Sequence, residues 1–367
     1  MKSTSGDHYR GLDHLRALAA FLVVLWHFAH FNNGPPVPTG HAPEIGLIDE
    51  GHSGVALFMC LSGYLFAKLI GRRRISYPAF LFNRVLRLAP MLLVALLLGF
   101  VLKHHVHAGE YLTRIVAGLF FSPAMPQGGW SIITEMHFYL LLPVLLWMAR
   151  HSERSLLMIV AVAVLARFGL WVASFDIQLL AYGSLLGRVD QFALGIYFAL
   201  RRPGSGKPMF FVLLWIVYAW FSSVGGYNGK GHEYVWVFLP TVEALGFGWL
   251  ISWYDRHPLE GKWLRPVEKA GERSYSIYLL HIPVVGTASA LVNTHVMPLS
   301  SIYVAIPWAL LFFVMVSSVS RFTYTHVELV FLKYRKPYLI PEEAWEAGQS
   351  SLPPALKPVQ AGTALTR

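Results

Sequence analysis

Continuous apolar runs of about 20 residues recur along this chain, and that pattern excludes most folds. A helix of that length matches the hydrocarbon thickness of a bilayer. Lipid admits only helices and closed barrels, because every backbone polar group must find its partner internally. A hydrophobic fraction of 55% and a charged fraction of 14% agree with a polytopic membrane protein and not with soluble domains. The pattern predicts an all-α membrane bundle of about ten transmembrane helices. They fall near 15–33, 53–70, 88–106, 131–149, 155–174, 187–200, 209–224, 234–253, 274–293 and 301–321, the sixth and seventh being short. The first segment carries Asp13, Arg16 and His27 with no small-residue cleavage site after it, so it is expected to stay as a helix.

The net charge of +10 could suggest nucleic acid, but its distribution argues for topology. Lys2, Arg10 and Arg16 form one basic cluster; Arg72, Arg73, Arg74, Arg84 and Arg87 another; then Arg150 and Arg154; Arg201, Arg202 and Lys207; Arg256, Lys262, Arg265, Lys269 and Arg273; and Lys333, Arg335 and Lys336. The clusters flank alternate apolar segments. By the positive-inside rule both termini are expected in the cytoplasm. The loop 34–50, without Lys or Arg, is expected outside, as is 107–129, with a re-entrant apolar piece at 115–121. Residues 1–336 read as one membrane domain, and 337–367, rich in Pro and without periodicity, as a disordered cytoplasmic tail. Cys60 is the only cysteine, so neither a disulfide within the chain nor a thiolate metal site is expected. Lys103, His104, His105, His107 and Glu110 read better as a solvated loop than as a metal site, and no metal is expected.

Polar groups inside apolar segments are functional candidates, since lipid makes them costly. Arg16 and His27 lie eleven residues apart, which places them on one helix face about 16 Å apart. Arg16 alone could be a snorkelling cation and His27 a packing histidine; together they outline a polar line into the membrane. Imidazole suits a general base near neutral pH. Arg84 and Arg87 share a face at the cytoplasmic start of the third segment, and guanidinium forks bind phosphate well. Plain topology accounts equally for Arg72, Arg73 and Arg74. Glu135 and Tyr139 stand one turn apart in the fourth segment, where a carboxylate needs a partner, either a salt bridge or a ligand. Ser274, Tyr278 and His281 share a face of the ninth segment beside Tyr275, as a hydrogen-bonding seam or a donor set. Gly54, Ser62 and Gly63 read as close helix packing. Arg188, Asp190 and Glu243 are further intramembrane charges without an assigned role.

Five pieces in this order resemble the acyltransferase family 3 of integral membrane proteins. They are Arg16-x10-His27, the segment around Gly54 and Ser62-Gly63, Arg84-x2-Arg87 leading to Pro90, Trp130-Ser131-x3-Glu135 running to Tyr139 and Pro143, and Ser274-Tyr275-x2-Tyr278-x2-His281. Glu328 follows the last helix without the nearby proline of the family pattern. The resemblance, over roughly residues 9–330, implies a ten-helix enzyme of the bacterial inner membrane. Such an enzyme takes an acyl group, usually acetyl, from cytoplasmic acyl-CoA as co-substrate, with no permanently bound cofactor. The acceptor is a hydroxyl of a carbohydrate or other secreted molecule: O-antigen lipopolysaccharide, exopolysaccharide, peptidoglycan, a nodulation lipo-oligosaccharide or a macrolide. The resemblance makes Arg16 and His27 the essential pair and gives Arg84 and Arg87 to the donor site. It is to the stand-alone members, without an SGNH esterase-like domain.

The chemistry expected is coenzyme A docking on the arginines by its phosphates, with the pantetheine arm entering beside Arg16. His27 then takes the proton of the attacking hydroxyl. Ser274, Tyr275 or Tyr278 donates to the developing oxyanion, worth about 3 kcal/mol, and Glu135 orients His27 or holds the acceptor. An acyl-histidine relay is equally compatible. The alternative class is a transporter or flippase for a sugar-lipid or anionic substrate, against which stands the lack of internal repeat symmetry.

Overall fold

The computed structural model describes residues 9–30, 42–71, 73–102, 107–201 and 208–340. The chain winds through α1 (Arg10–His30), α2 (Gly46–Asp49), α3 (Ser53–Ile70), α4 (Tyr77–Leu102), α5 (Ala108–Phe120), α6 (Trp130–His151), α7 (Arg154–Val172) and α8 (Ile177–Gly183). It continues through α9 (Leu185–Arg201), α10 (Met209–Ser223), α11 (Val235–Tyr254), α12 (Arg265–Glu272), α13 (Ser274–Leu291), α14 (Ile302–Thr323) and α15 (Leu329–Leu332). A π turn over Tyr324–Glu328 joins the last two helices into one continuous rod.

Among the described residues, eight helices are long and apolar enough to cross a membrane. Each of the ten expected spans has a helix. The two that fall short are α9 and α10, of 17 and 15 residues. α9 is short of apolar residues for a physical reason: Gly187, Arg188, Asp190 and Gln191 are buried inside protein and never meet lipid. The outer helices show the converse. Leu93, Leu97, Leu140, Val144, Val162, Leu165, Leu310 and Val314 are exposed, as a hydrocarbon environment requires.

α3 is the inner mast. Its glycines let other backbones come close: a methyl group at Gly63 would meet the Phe192 carbonyl of α9 and one at Gly54 the Ala19 carbonyl of α1; from the other side, one at Gly195 of α9 would meet the Cys60 carbonyl of α3. α1 packs against α3, α12, α13 and α14, which explains why fifteen of its 21 residues are buried.

Contacts between helix ends gather the basic clusters at one end of the bundle. Lys68, closing α3, pairs with Asp255 after α11 at 2.6 Å and covers the Tyr9 ring before α1. Arg150 donates to the Arg73 carbonyl, and Arg201 meets Glu153. The segment after α15 is also there: Leu339 and Ile340 pair antiparallel with Ile75 and Arg74 as a two-residue ribbon. Of the tail expected from residue 337, residues 337–340 therefore lie against the bundle, and 341–367 fall outside the described residues.

Two expectations need correction. The third segment begins at Tyr77, eleven residues before the expected 88. Pro78 sits in its first turn, where its missing N–H is harmless, and Arg84 and Arg87 lie inside the helix. They are tolerated because they face a cavity. The region 107–129 is not simply a loop. It forms α5, with Leu112, Val116, Leu119 and Phe120 exposed and Tyr111 and Gly118 buried; the expected apolar piece at 115–121 falls on this helix and the turn after it.

Candidate active site

A cavity between α1, α3, α4, α6 and α13 is lined by Arg16, Ser62, Arg84, Arg87, Ser131, Glu135, Tyr139, Ser274, Tyr275 and Tyr278 among apolar side chains. It encloses about 800 Å³ of empty space, counting its open mouth. Residues separated by up to 262 positions thus converge on one volume, including seven of the ten singled out from the sequence. Of the other three, Arg73 lies at the turn before α4 with its guanidinium on the Leu69 carbonyl, His27 lies deeper, and Arg72 is outside the described residues.

Arg16 is half-buried and held by Asp13 one turn earlier at 3.0 Å. An arginine lining a cavity in a fixed ion pair is not snorkelling to a lipid surface. Arg84 makes no ion pair among the described residues. Its guanidinium lies over the rings of Phe66 and Phe80, at 5.1 and 5.3 Å, with a buried Nε lacking any acceptor. A half-buried cation with an unmet donor has the chemistry to take an anion.

Glu135 accepts from Ser62 at 2.7 Å and from Tyr139 one turn on. Two hydroxyls from α3 and α6 fix it; among the described residues it forms no salt bridge and makes no hydrogen bond to His27. Ser62, read from sequence as packing, therefore holds the Glu135 carboxylate. The cross-helix hydrogen bond that reveals this has no signature in a linear chain.

The two tyrosines also differ from expectation. Tyr278 gives its proton to the Gly128 carbonyl at 3.2 Å and accepts from Ser131 at 2.8 Å. Tyr275 gives its own to the Leu88 carbonyl. Neither proton is available to an oxyanion in this arrangement. Ser274 lines the cavity and makes no hydrogen bond among the described residues, so it is the better-placed donor. The turn that presents Gly128 is left-handed, with φ of 57° at Gln127 and 67° at Gly128. At residue 128 any Cβ would also press Ile282, so glycine is needed there.

His27 is not among the cavity-lining residues. It is reached through Tyr278 and His281, whose rings stand 5.8 Å apart. His27 Nδ1 lies 2.7 Å from the Val23 carbonyl and 3.3 Å from His281 Nε2. His281 Nδ1 lies 3.3 Å from the Ile277 carbonyl. One tautomer set satisfies all three: each Nδ1–H donates to the carbonyl four residues earlier, and His281 Nε2 accepts a share of the His27 proton. The basic lone pair of His27 is then on Nε2. His281, and not Glu135, orients it.

Matching the chain to family models identifies an acyltransferase domain over residues 9–320. The chain belongs to acyltransferase family 3. As a member, it is a multi-pass membrane acyltransferase, and the convergence of the family motifs on one cavity fits that membership. No curated protein and no solved structure matched the chain.

Intramembrane charges outside the cavity form a closed network. Arg167 of α7 pairs with Asp190 at 2.7 Å and binds Thr241 and the Val237 and Gly187 carbonyls. Arg188 pairs with Glu243 at 3.2 Å, and Tyr218 and Gln191 complete that carboxylate. This network binds α7, α9, α10 and α11 together. Lys103, His104 and His105 of the histidine-rich segment lie outside the described residues. Glu328, given little weight from sequence, is fully buried in the π turn and accepts from Ser276.

Proposed function

We propose that this protein is an O-acyltransferase of the bacterial inner membrane. It moves an acyl group, acetyl foremost, from cytoplasmic acyl-CoA to a hydroxyl of a cell-surface or secreted carbohydrate. The observation that carries the reading is the cavity between α1, α3, α4, α6 and α13, near the basic end. There Arg84 and Arg87 offer phosphate ligands, Ser274 and Glu135 stand further in, and Tyr278 leads to the His281–His27 pair. The positive-inside distribution supports a cytoplasmic mouth.

In this reading coenzyme A anchors by its phosphates on Arg84 and Arg87, and the pantetheine arm runs along the apolar wall past Arg16. Nε2 of His27 takes the acceptor's proton as the hydroxyl oxygen forms its bond to the thioester carbon. The carbon–sulfur bond then breaks and the electron pair leaves with the thiolate, which needs little protonation because thiol pKa values lie near 8.5. The Ser274 hydroxyl donates to the developing oxyanion. Glu135 remains with Ser62 and Tyr139 as a fixed carboxylate for an acceptor hydroxyl.

Purified protein in nanodiscs, given acetyl-CoA and a surface-glycan fraction, should release free thiol and label the glycan. No thioester consumption with any glycan fraction would refute the reading. Reporter fusions after Arg154 and Lys269 should report cytoplasm, and one at Gly229 the outside; the reverse would move the donor to the other face.

A further inference from the structure

We infer that Arg335, beyond the last membrane helix, completes with Arg84 and Arg87 a three-guanidinium clamp for a phosphate group of the donor's nucleotide end.

The placement begins with Asn83. Its amide, fully buried, donates to the Lys336 carbonyl at 2.7 Å and accepts from the Lys336 N–H at 2.9 Å. Two further ties follow: the Ser76 N–H donates to the Tyr338 carbonyl at 2.8 Å, and Leu339–Ile340 pair with Arg74–Ile75. Tyr338 is itself buried, packed edge-on against Phe80. The strand after α15 is thus strapped over the start of α4. Arg335 precedes the first clamped residue, and Arg84 follows the clamping one.

Delivered this way, Arg335 meets two like charges, Arg87 and Arg84, with the buried Glu328 carboxylate as the nearby opposite charge. Its Nε and Nη2 are buried and have no hydrogen-bond partner, as has Nε of Arg84. Burial first, and then the charges of Arg87 and Arg84, bring its guanidinium down to about 10. It stays a cation at neutral pH, held against two others by a purpose-shaped strap. Nothing about membrane topology requires that, since a positive-inside arginine serves equally well in water. Converging guanidiniums, with unmet donors on Arg335 and Arg84, suit a phosphate, which offers three acceptor oxygens and nearly two negative charges. Coenzyme A carries a diphosphate and a 3′-phosphate at its nucleotide end, away from the thioester.

The inference rests on the acyl-CoA reading, and its test separates the two. Wild type, Arg335→Ala, Arg335→Lys and, as a control, Lys333→Ala, whose side chain is exposed in the same segment, go into zwitterionic nanodiscs. Two donors are compared: acetyl-CoA, and S-acetyl-N-acetylcysteamine, a thioester without phosphate. Binding of adenosine 3′,5′-bisphosphate is measured directly. Arg335→Ala should raise KM for acetyl-CoA about tenfold to a hundredfold with little change in kcat, and weaken bisphosphate binding equally. Turnover of the short thioester should be unchanged. Arg335→Lys should fall between because the fork is lost, and Lys333→Ala should match wild type. Unchanged KM in Arg335→Ala, or equal loss with both donors, would overturn the clamp. So would Arg335-dependent binding of phosphatidylglycerol with none of the bisphosphate, which would make the anion a lipid headgroup. Arg335-dependent bisphosphate binding without any acyl-CoA turnover would uphold the clamp and sink the acyl-transfer reading.

Discussion

Two regions of this bundle bury arginines beside carboxylates, and they do so in opposite ways. Around α9, Arg167 and Arg188 are 1% exposed, each with its own carboxylate and further acceptors. One nitrogen, Nη2 of Arg188, lacks a hydrogen bond, though that guanidinium also lies over the Tyr182 ring at 4.7 Å. Around α4, Arg84 has rings but no carboxylate partner among the described residues, Arg335 has unmet donors, and Glu135 is held by hydroxyls although cations are near. A membrane interior tolerates charge when it is neutralised in place. Where charges of both signs are kept apart inside one cavity, the missing counterparts belong to molecules that enter it.

The largest break in the comparison comes from its catalytic end. Folded His27→Gln should lose about 10²–10⁴-fold in transfer rate, the usual worth of a positioned base, while retaining acyl-CoA binding. Near-normal turnover would move the base to His281. The closed region should instead respond in stability. Arg167→Ala leaves Asp190 buried and uncompensated, which costs about 3–5 kcal/mol, so melting temperature and folded yield should drop sharply. The rate per folded molecule should hold. A variant that melts normally would show the network to be ornamental.

Arg84→Ala sharpens the contrast because its two effects have opposite signs. KM for acyl-CoA should rise about tenfold to a hundredfold, with Arg84→Lys recovering only part. The melting temperature should equal or exceed that of wild type, since a half-buried cation with an unmet donor has been removed. A fall like that of Arg167→Ala would place Arg84 among the structural arginines.

These contrasts mark what a linear chain discloses. The spans, the shared face of Arg16 and His27, and the candidates Glu135, Arg84 and Arg87 follow from spacing and from the rarity of charge in apolar runs. What spacing does not carry is partnership across helices. The Ser62–Glu135 bond joins residues 73 positions apart, and His281 reaches His27 across 254. Arg335 resembles any basic residue flanking a span, and only the strap at Asn83 distinguishes it. The start of α4 is hidden for a related reason: two arginines look like the edge of a membrane helix until a cavity is known to receive them.

The smallest expected effect lies at the far end of the bundle. Burial pushes the Glu50 carboxyl up to about 7, against the opposing pull of His30 and of the Tyr227 N–H. A raised carboxyl means the folded state prefers the protonated form. Its contribution is full below the unfolded value near 4.3 and is lost as pH rises through about 7. Wild type should therefore melt at a slightly lower temperature at pH 8 than at pH 6, and Glu50→Gln should flatten that slope. An identical slope in the variant would assign it to another group.

The strap at Asn83 also sets an order of events during biosynthesis. Its two hydrogen bonds join positions 253 residues apart, so they form only after the final helix has left the ribosome and entered the membrane. Until then the helices carrying Arg84 and Glu135 can be inserted and packed while the anchor for the donor's far end is missing. Under the proposed acyl-CoA reading, a nascent or prematurely ended chain would hold the donor poorly.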